Sequence, residues 1–417
     1  MRNGSKSFRC ALLGSAIAIV ALAPAIAADN AHANLKRTRA IEGNHPVAQR
    51  SIKNAASGLS TAEGTYTDLH DFAGGTTDGQ DPTANVSVDD AGNIYGTAEF
   101  GGAHGDGVVF QRAPNGTQTI LHSFTGNDGS EPDGGMVLMP NGTLYGTGSA
   151  GGAGGNGVIF KISPKGKYKV LHDFTSNDGS FIRGDLIRDK QGNLYGTGLF
   201  GGVNGDGTVF KYGFDGTFSV LHAFNGTDGE FPEHGVVRDS EGNLYGATAF
   251  GGASDNGSVY KLAPNGTLTT LHSFTGGDDG SFLYGGLDID KDGTVYGATA
   301  DGGAHNAGTV FKITSDGTFS TVYSFTGGAD GGSPEGDTLV VGGNIYGAAS
   351  EGGDPTCQCG MVYEITPKGK AKVLHTFTGD TGGGYSSGLV KSQGTFYGTT
   401  SSGGAHSNGV VFSVTKK

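Results

Sequence analysis

The sequence predicts an all-β fold: a seven-bladed β-propeller with four antiparallel strands per blade, the last blade closed by the N-terminal strand. Three observations lead there. A Tyr-Gly pair recurs at Tyr95, Tyr145, Tyr195, Tyr245, Tyr296, Tyr346 and Tyr397, at spacings of 50 or 51 residues, so the chain is seven copies of one unit. Self-similarity of that period marks a solenoid, a propeller or an array. Each copy has short runs of Val, Ile, Leu, Tyr, Phe and Thr between fixed glycines, 81 of 417 residues being Gly with no Gly-X-Y period; this is the punctuation of many short strands and tight turns. The two ends are also complementary. Residues 66–72 read as a fourth strand with no third before it, and residues 410–414 as a third strand with no fourth after it. Pairing them completes the seventh sheet and removes the exposed edges of an open array.

Taken in order, the chain opens with Arg2, Lys6 and Arg9, then an apolar run over 11–27 ending in Ala25-Ile26-Ala27. That is the pattern of a secretory signal peptide over 1–27. Residues 28–62 have no sustained apolar period and read as a flexible linker. The propeller then occupies 63–417. Its unit is plainest in the fourth copy, where 235–239 is a first strand, 244–249 a second, 258–262 a third and 267–274 a fourth. Short turns such as Pro114-Asn115-Gly116 join strands on one face, and long glycine loops collect on the other. Loops displayed by a rigid scaffold are the default binding face.

Removing 1–27 leaves 24 Lys and Arg against 40 Asp and Glu, a formal charge of −16. Phosphate binding needs a basic face, so nucleic acid is excluded as a partner. No membrane span is expected after signal cleavage, and the expected product is a monomer that is secreted, periplasmic or on the cell surface. Cys357 and Cys359 are the only cysteines after residue 27 and are candidates for a local disulfide; no four-ligand zinc pattern exists.

The loop face repeats an Asp-Gly step at Asp78, Asp128, Asp178, Asp228, Asp279 and Asp330. These six carboxylates are binding candidates, able to ring the channel mouth and hold a divalent cation such as calcium or sugar hydroxyls, or they are turn residues bonded to their own backbone. A His follows Leu at His70, His122, His172, His222, His272 and His375. One per outer strand, they are too dispersed to form one centre and read as ties between strand and loop. Residues 288–293 begin like a calcium loop but carry Thr299 where its closing Glu belongs. Symmetry breaks matter more for chemistry, which needs unlike groups at one centre. On the loop face these are Glu131, Arg183, Glu233, His234, Tyr284, Glu335 and Tyr385, of which His234 joins the binding candidates; no catalytic residue is assigned.

The unit, Gly-Asn-Leu-Tyr-Gly-Thr, then Gly-Gly, Gly-Val-Val-Phe-Lys and Leu-His-Ser-Phe, resembles the GloVer tandem repeat of exported bacterial proteins over residues 66–417. The resemblance implies a secreted or surface protein and transfers no activity and no functional residue. Relatives often carry a C-terminal anchor, whereas this sequence ends at Lys416-Lys417 without a sorting tail. With no Trp at all, Kelch and WD40 repeats fit less well. The turn over 189–195 also looks like that of lactonase and streptogramin-lyase propellers. The expected function is non-catalytic binding of a glycan, cell-surface polymer or protein; the alternative is a metal-assisted lyase, lactonase or glycoside hydrolase at the channel mouth.

Overall fold

The computed structural model describes residues 64–416, so the signal peptide and linker expected before residue 63 lie outside the described residues. Within them there are strands and turns only, arranged as seven antiparallel sheets, the blades, with one further two-stranded pair, Gly79–Gln80 on Phe100–Gly101. Blades 1 to 6 follow chain order, blade 4 for example comprising Val237–Arg238, Leu244–Thr248, Ser258–Leu262 and Leu268–Ser273. Blade 7 joins both ends of the chain: Gly64–Asp71 pairs antiparallel with Val410–Lys416, which pairs with Thr395–Ser402. The closure expected from the sequence is therefore present.

The first strands touch one another across neighbouring blades and line the axis. They are shorter than the sequence suggests; in blade 4 only Val237–Arg238 is paired, not 235–239. The cause is crowding at the axis, where the backbones at Gly184 and Gly235 come so close that neither has room for a Cβ.

Burial is organised by one aromatic pair per blade. Phe110, Phe160, Phe210, Tyr260, Phe311, Tyr363 and Phe412 on the third strands are buried, as are Phe72, Phe124, Phe174, Phe224, Phe274, Phe325 and Phe377 at the ends of the fourth. The two sets meet edge-on with centroids 5.1 to 5.4 Å apart, for example Phe174 against Phe210 at 5.1 Å and Phe124 against Phe160 at 5.4 Å, a favoured aromatic geometry. The ring tip of the third-strand residue points at the glycine of the Tyr-Gly pair. A Cβ on Gly196 would lie 2.7 Å from Phe210 Cζ, and on Gly96 2.6 Å from Phe110 Cζ. The repeated glycine is the hole into which the repeated aromatic fits.

Candidate functional site at the channel axis

The six repeated aspartates face the fourth, outermost strands of their blades, in the turn role that is one of the two expectations for them. His70, His122, His172, His222 and His272 face Asp78, Asp128, Asp178, Asp228 and Asp279 through Nε2 at 2.9 to 3.4 Å, and Tyr323 donates to Asp330 at 2.8 Å. Most of these carboxylates also accept backbone N–H groups of their own loop, such as Thr125 to Asp128 and Thr275 to Asp279. Several of the histidines stack on an aromatic of the next blade, His122 on Tyr168 at 3.7 Å and His272 on Phe319 at 3.8 Å. His375 stacks on Tyr66 at 3.7 Å but has no aspartate, since Thr381 stands in its place, and burial pushes its imidazole down to about 4. Asp290, in the segment resembling a calcium loop, accepts from Thr294 N and Tyr296 OH, the same bonds that Asp239 makes with Asn243 and Tyr245. Cys357 and Cys359 are joined as a disulfide.

Unlike groups converge instead at the axis, where the fourth-to-first connections descend. At one repeat position the copies carry Asn85, Gly135, Asp185, Gly235, Gly286, Asp337 and Gly388. Here three side chains fill the space that their glycine neighbours leave; a Cβ on Gly135 would lie 2.6 Å from Asp185 Oδ1 and one on Gly286 2.5 Å from Asp337 Oδ1. Asn85 Nδ2 donates to Asp185 Oδ2 at 2.8 Å and to Asp337 Oδ2 at 2.5 Å, tying blades 1, 3 and 6 together. The other carboxylate oxygens accept backbone N–H from Gly135 and Gly286, each at 2.5 Å. His234, one residue nearer the loop face, brings Nδ1 to 2.9 Å from Asp337 Oδ1 while a third of its side chain stays open to the channel.

These neighbours set the charges. Burial alone lowers the His234 imidazole, but Asp337, Asp185 and Glu233 outweigh it and hold it up at about 9. Burial works against ionisation of Asp337 too, yet His234 and the donated hydrogen bonds bring it down to about 2. Asp185 goes the other way, raised by burial and then by the Asp337 charge. The result is a polar septum across the channel containing an imidazolium, a carboxylate and a second carboxyl group biased toward its protonated form. On the hairpin side it borders a cavity of about 400 Å³ whose lining includes Ser87, Val88, Val137, Leu138 and Val390.

Above the septum, the next ring reads Thr83, Asp133, Arg183, Glu233, Tyr284, Glu335 and Ser386, almost a different residue in every blade. Thr83 donates to Asp133, Arg183 Nε lies 3.0 Å from Asp133 Oδ2, and Arg183 Nη1 lies 3.8 Å from Glu233 Oε2. Glu131 and Glu99 face the same arginine. Burial raises Glu99 well above the usual carboxylate range, helped by repulsion from Asp133, and Glu131 and Glu233 are raised chiefly by burial as well. Beside this acidic sector, half-buried Phe181, Phe250, Phe282 and Tyr284 with buried Phe200 and Phe231 form an arc over blades 3 to 5, with successive ring centroids 5.1 to 6.3 Å apart, 5.5 Å for the first pair.

Of the residues expected from the sequence, Glu131, Arg183, Glu233 and His234 thus meet at the axis. Asn85, Glu99, Asp133, Asp185 and Asp337 were missed. Their signal was available in the columns of seven equivalent positions: Asn85, Asp185 and Asp337 stand among glycines, Glu99 among Ser, Ala and Leu, and Asp133 in the same varied column as Arg183 and Glu233. Among the described residues no group of three or more His, Cys, Asp or Glu is placed to hold a metal ion.

Among solved structures the chain is similar to puromycin hydrolase, at 11% identity and a TM-score of 0.52, over 80% of this chain and 53% of that one. It also matches the gluconolactonase XC5397 of Xanthomonas campestris (15%, TM-score 0.43, 66% of this chain and 83% of that one) and dipeptidyl peptidase 4 of Porphyromonas gingivalis (11%, 0.40, 76% and 50%). At such identities the likeness is one of fold alone. No curated protein sequence matches. The Gloeobacter/Verrucomicrobia repeat model matches residues 55–197, 178–357 and 235–417, so that successive matches overlap and span every blade, and the chain belongs to that repeat family.

Proposed function

We propose that the protein is an exported, monomeric binding module that takes up a glycan chain across the loop-face mouth of its channel. One observation carries the reading: at the mouth, unlike side chains from four consecutive blades join in one chain, Thr83 to Asp133 to Arg183 to Glu233. Carboxylates accept sugar hydroxyls, the guanidinium donates to ring and hydroxyl oxygens, and half-exposed aromatic rings such as Phe282 and Tyr284 present flat apolar area to the C–H face of a pyranose. A glycan array probed with the full chain tests it. Binding to at least one glycan class that is lost in Arg183→Ala but kept in Asp128→Asn supports the mouth; loss in the second variant alone moves the site to the blade edges.

A second reading rests on the septum. Asp185 and Asp337 share one amide donor and are driven in opposite directions, and pairs of carboxyl groups so separated serve hydrolases as acid and base or nucleophile. Turnover of a lactone or glycoside that disappears in Asp185→Asn, with mouth binding retained, would establish this role.

A further inference from the structure

One loop breaks the repeat both in length and in chemistry. In six copies four residues separate the Gly-Gly pair from the next glycine, as between Gly102 and Gly107, but in blade 6 six residues separate Gly353 from Gly360. The longer loop holds Cys357 and Cys359, the only cysteines among the described residues, joined as a disulfide.

The turn that presents them is tight. Asp354 Oδ1 accepts Thr356 N at 2.7 Å and Cys357 N at 3.2 Å, and Gln358 N donates to Asp354 O at 2.8 Å. Cys357 is exposed, whereas Cys359 is half-buried against blade 7. A Cβ on Gly383 would lie 3.2 Å from Cys359 Cβ, and one on Gly379 3.7 Å from Cys359 Sγ. Gly383 stands where other blades carry Gln80, Ser130, Ser180, Glu230 and Ser281, so blade 7 leaves room for this half-cystine. Matched changes in two blades thus fit the cystine into the surface.

Stability does not account for it. A disulfide stabilises chiefly by restricting the unfolded chain, and the gain grows with the length of chain it closes; this one encloses Gln358 alone. Exposed disulfides are by contrast the ones that thiols reduce readily.

We propose that Cys357–Cys359 is a redox-active site that exchanges with thiols from solution. A substrate thiolate attacks Cys357 Sγ, the exposed end. The bond between the two cysteines breaks, and its electron pair passes to Cys359 Sγ, which takes up the proton that the substrate gave up. A second substrate thiolate then attacks the sulfur bound to Cys357 and frees the Cys357 thiolate, which takes the second proton. Two thiols leave as one disulfide and the cystine has gained two electrons; an external disulfide runs the same steps backwards and restores it. Access decides which sulfur is attacked, so Cys359, on the covered side of the turn, serves as leaving group and returning nucleophile. The site is independent of the reading of the mouth.

The test uses the full chain at pH 7 in a glutathione buffer with the oxidising poise of a secretory compartment, free thiols being alkylated and counted by mass spectrometry. About one chain in ten or more should carry two free thiols, where a structural disulfide stays oxidised. In single variants loaded as their glutathione mixed disulfides, reduced glutathione is expected to release the adduct about tenfold faster from Cys357 in Cys359→Ser than from Cys359 in Cys357→Ser. The double variant should keep its thermal midpoint within about 2 °C of the native chain. A cystine that stays wholly oxidised in that buffer overturns the proposal. A larger fall in midpoint also counts against it, because stability that a disulfide adds to the fold resists its reduction. Equal release from the two positions overturns the choice of Cys357 as the attacked sulfur.

Discussion

His375 shows what one residue contributes to a repeated device. In five blades the outer-strand histidine has an aspartate; His375 keeps the stack on Tyr66 but meets Thr381, and burial without a carboxylate holds its imidazole at about 4. The neutral ring is thus the form that folding favours, and stability is full above pH 6.5 and declines as the pH falls toward 4. Thr381→Asp is expected to raise the His375 midpoint by a unit or more, read by NMR titration, and to flatten the acid limb of the stability curve. His234 behaves oppositely. Its imidazolium is favoured in the fold, so its contribution is complete below pH 6.5 and is lost as the pH rises through about 9. Thermal unfolding between pH 6 and 10 should show this alkaline loss in the native chain and not in His234→Gln. At the same scale, the hydroxyl of Tyr260 is buried without a partner where most blades carry Phe. Tyr260→Phe is expected to stabilise the protein by about 1 kcal/mol in urea unfolding.

Within the blade, the Tyr-Gly glycine and the third-strand aromatic act as one unit. Gly196→Ala places a methyl 2.7 Å from Phe210 Cζ and 2.9 Å from Leu186 Cδ2, and overpacking of this kind costs about 1–3 kcal/mol. Shortening the ring in Gly196→Ala with Phe210→Leu should recover part of the loss, a coupling that a double-mutant cycle measures. This pairing is also why the fold was legible in the sequence: a contact made seven times leaves its residues at one spacing, and Tyr95 through Tyr397 count the blades. The site was legible only in part, for the same reason turned round. Asp128 and His122 recur because they hold each blade to its loop, and their repetition drew attention away from the axis. Asp185 and Asp337 occupy a position that is glycine in four copies. Only the ring closure brings Asp185 of blade 3 and Asp337 of blade 6 onto Asn85 of blade 1, and no local pattern announces a contact across the axis.

For the whole molecule the decisive joint is in blade 7, where residues 64–71 lie beside 410–416. A variant that lacks residues up to 71 leaves Val410–Lys416 as an open edge, buried until then over Val410 to Val414. It is expected to lose cooperative unfolding and to aggregate; a synthetic peptide of residues 64–71 added in excess should restore a single transition in calorimetry. The make-up of the mouth likewise belongs to this scale, since Asp133, Arg183 and Glu233 come from blades 2, 3 and 4 and the aromatic arc from blades 3 to 5. The same joint governs time as well as shape. Gly64 and Lys416 meet across nearly the whole described chain, a loop whose closure carries about 5 kcal/mol of entropy. The strand at residues 64–71 must therefore wait, unpaired, until residues 410–416 have been made. Six blades can assemble before that, but the circle closes only once Val410–Lys416 is there to take Gly64–Asp71 as its neighbour.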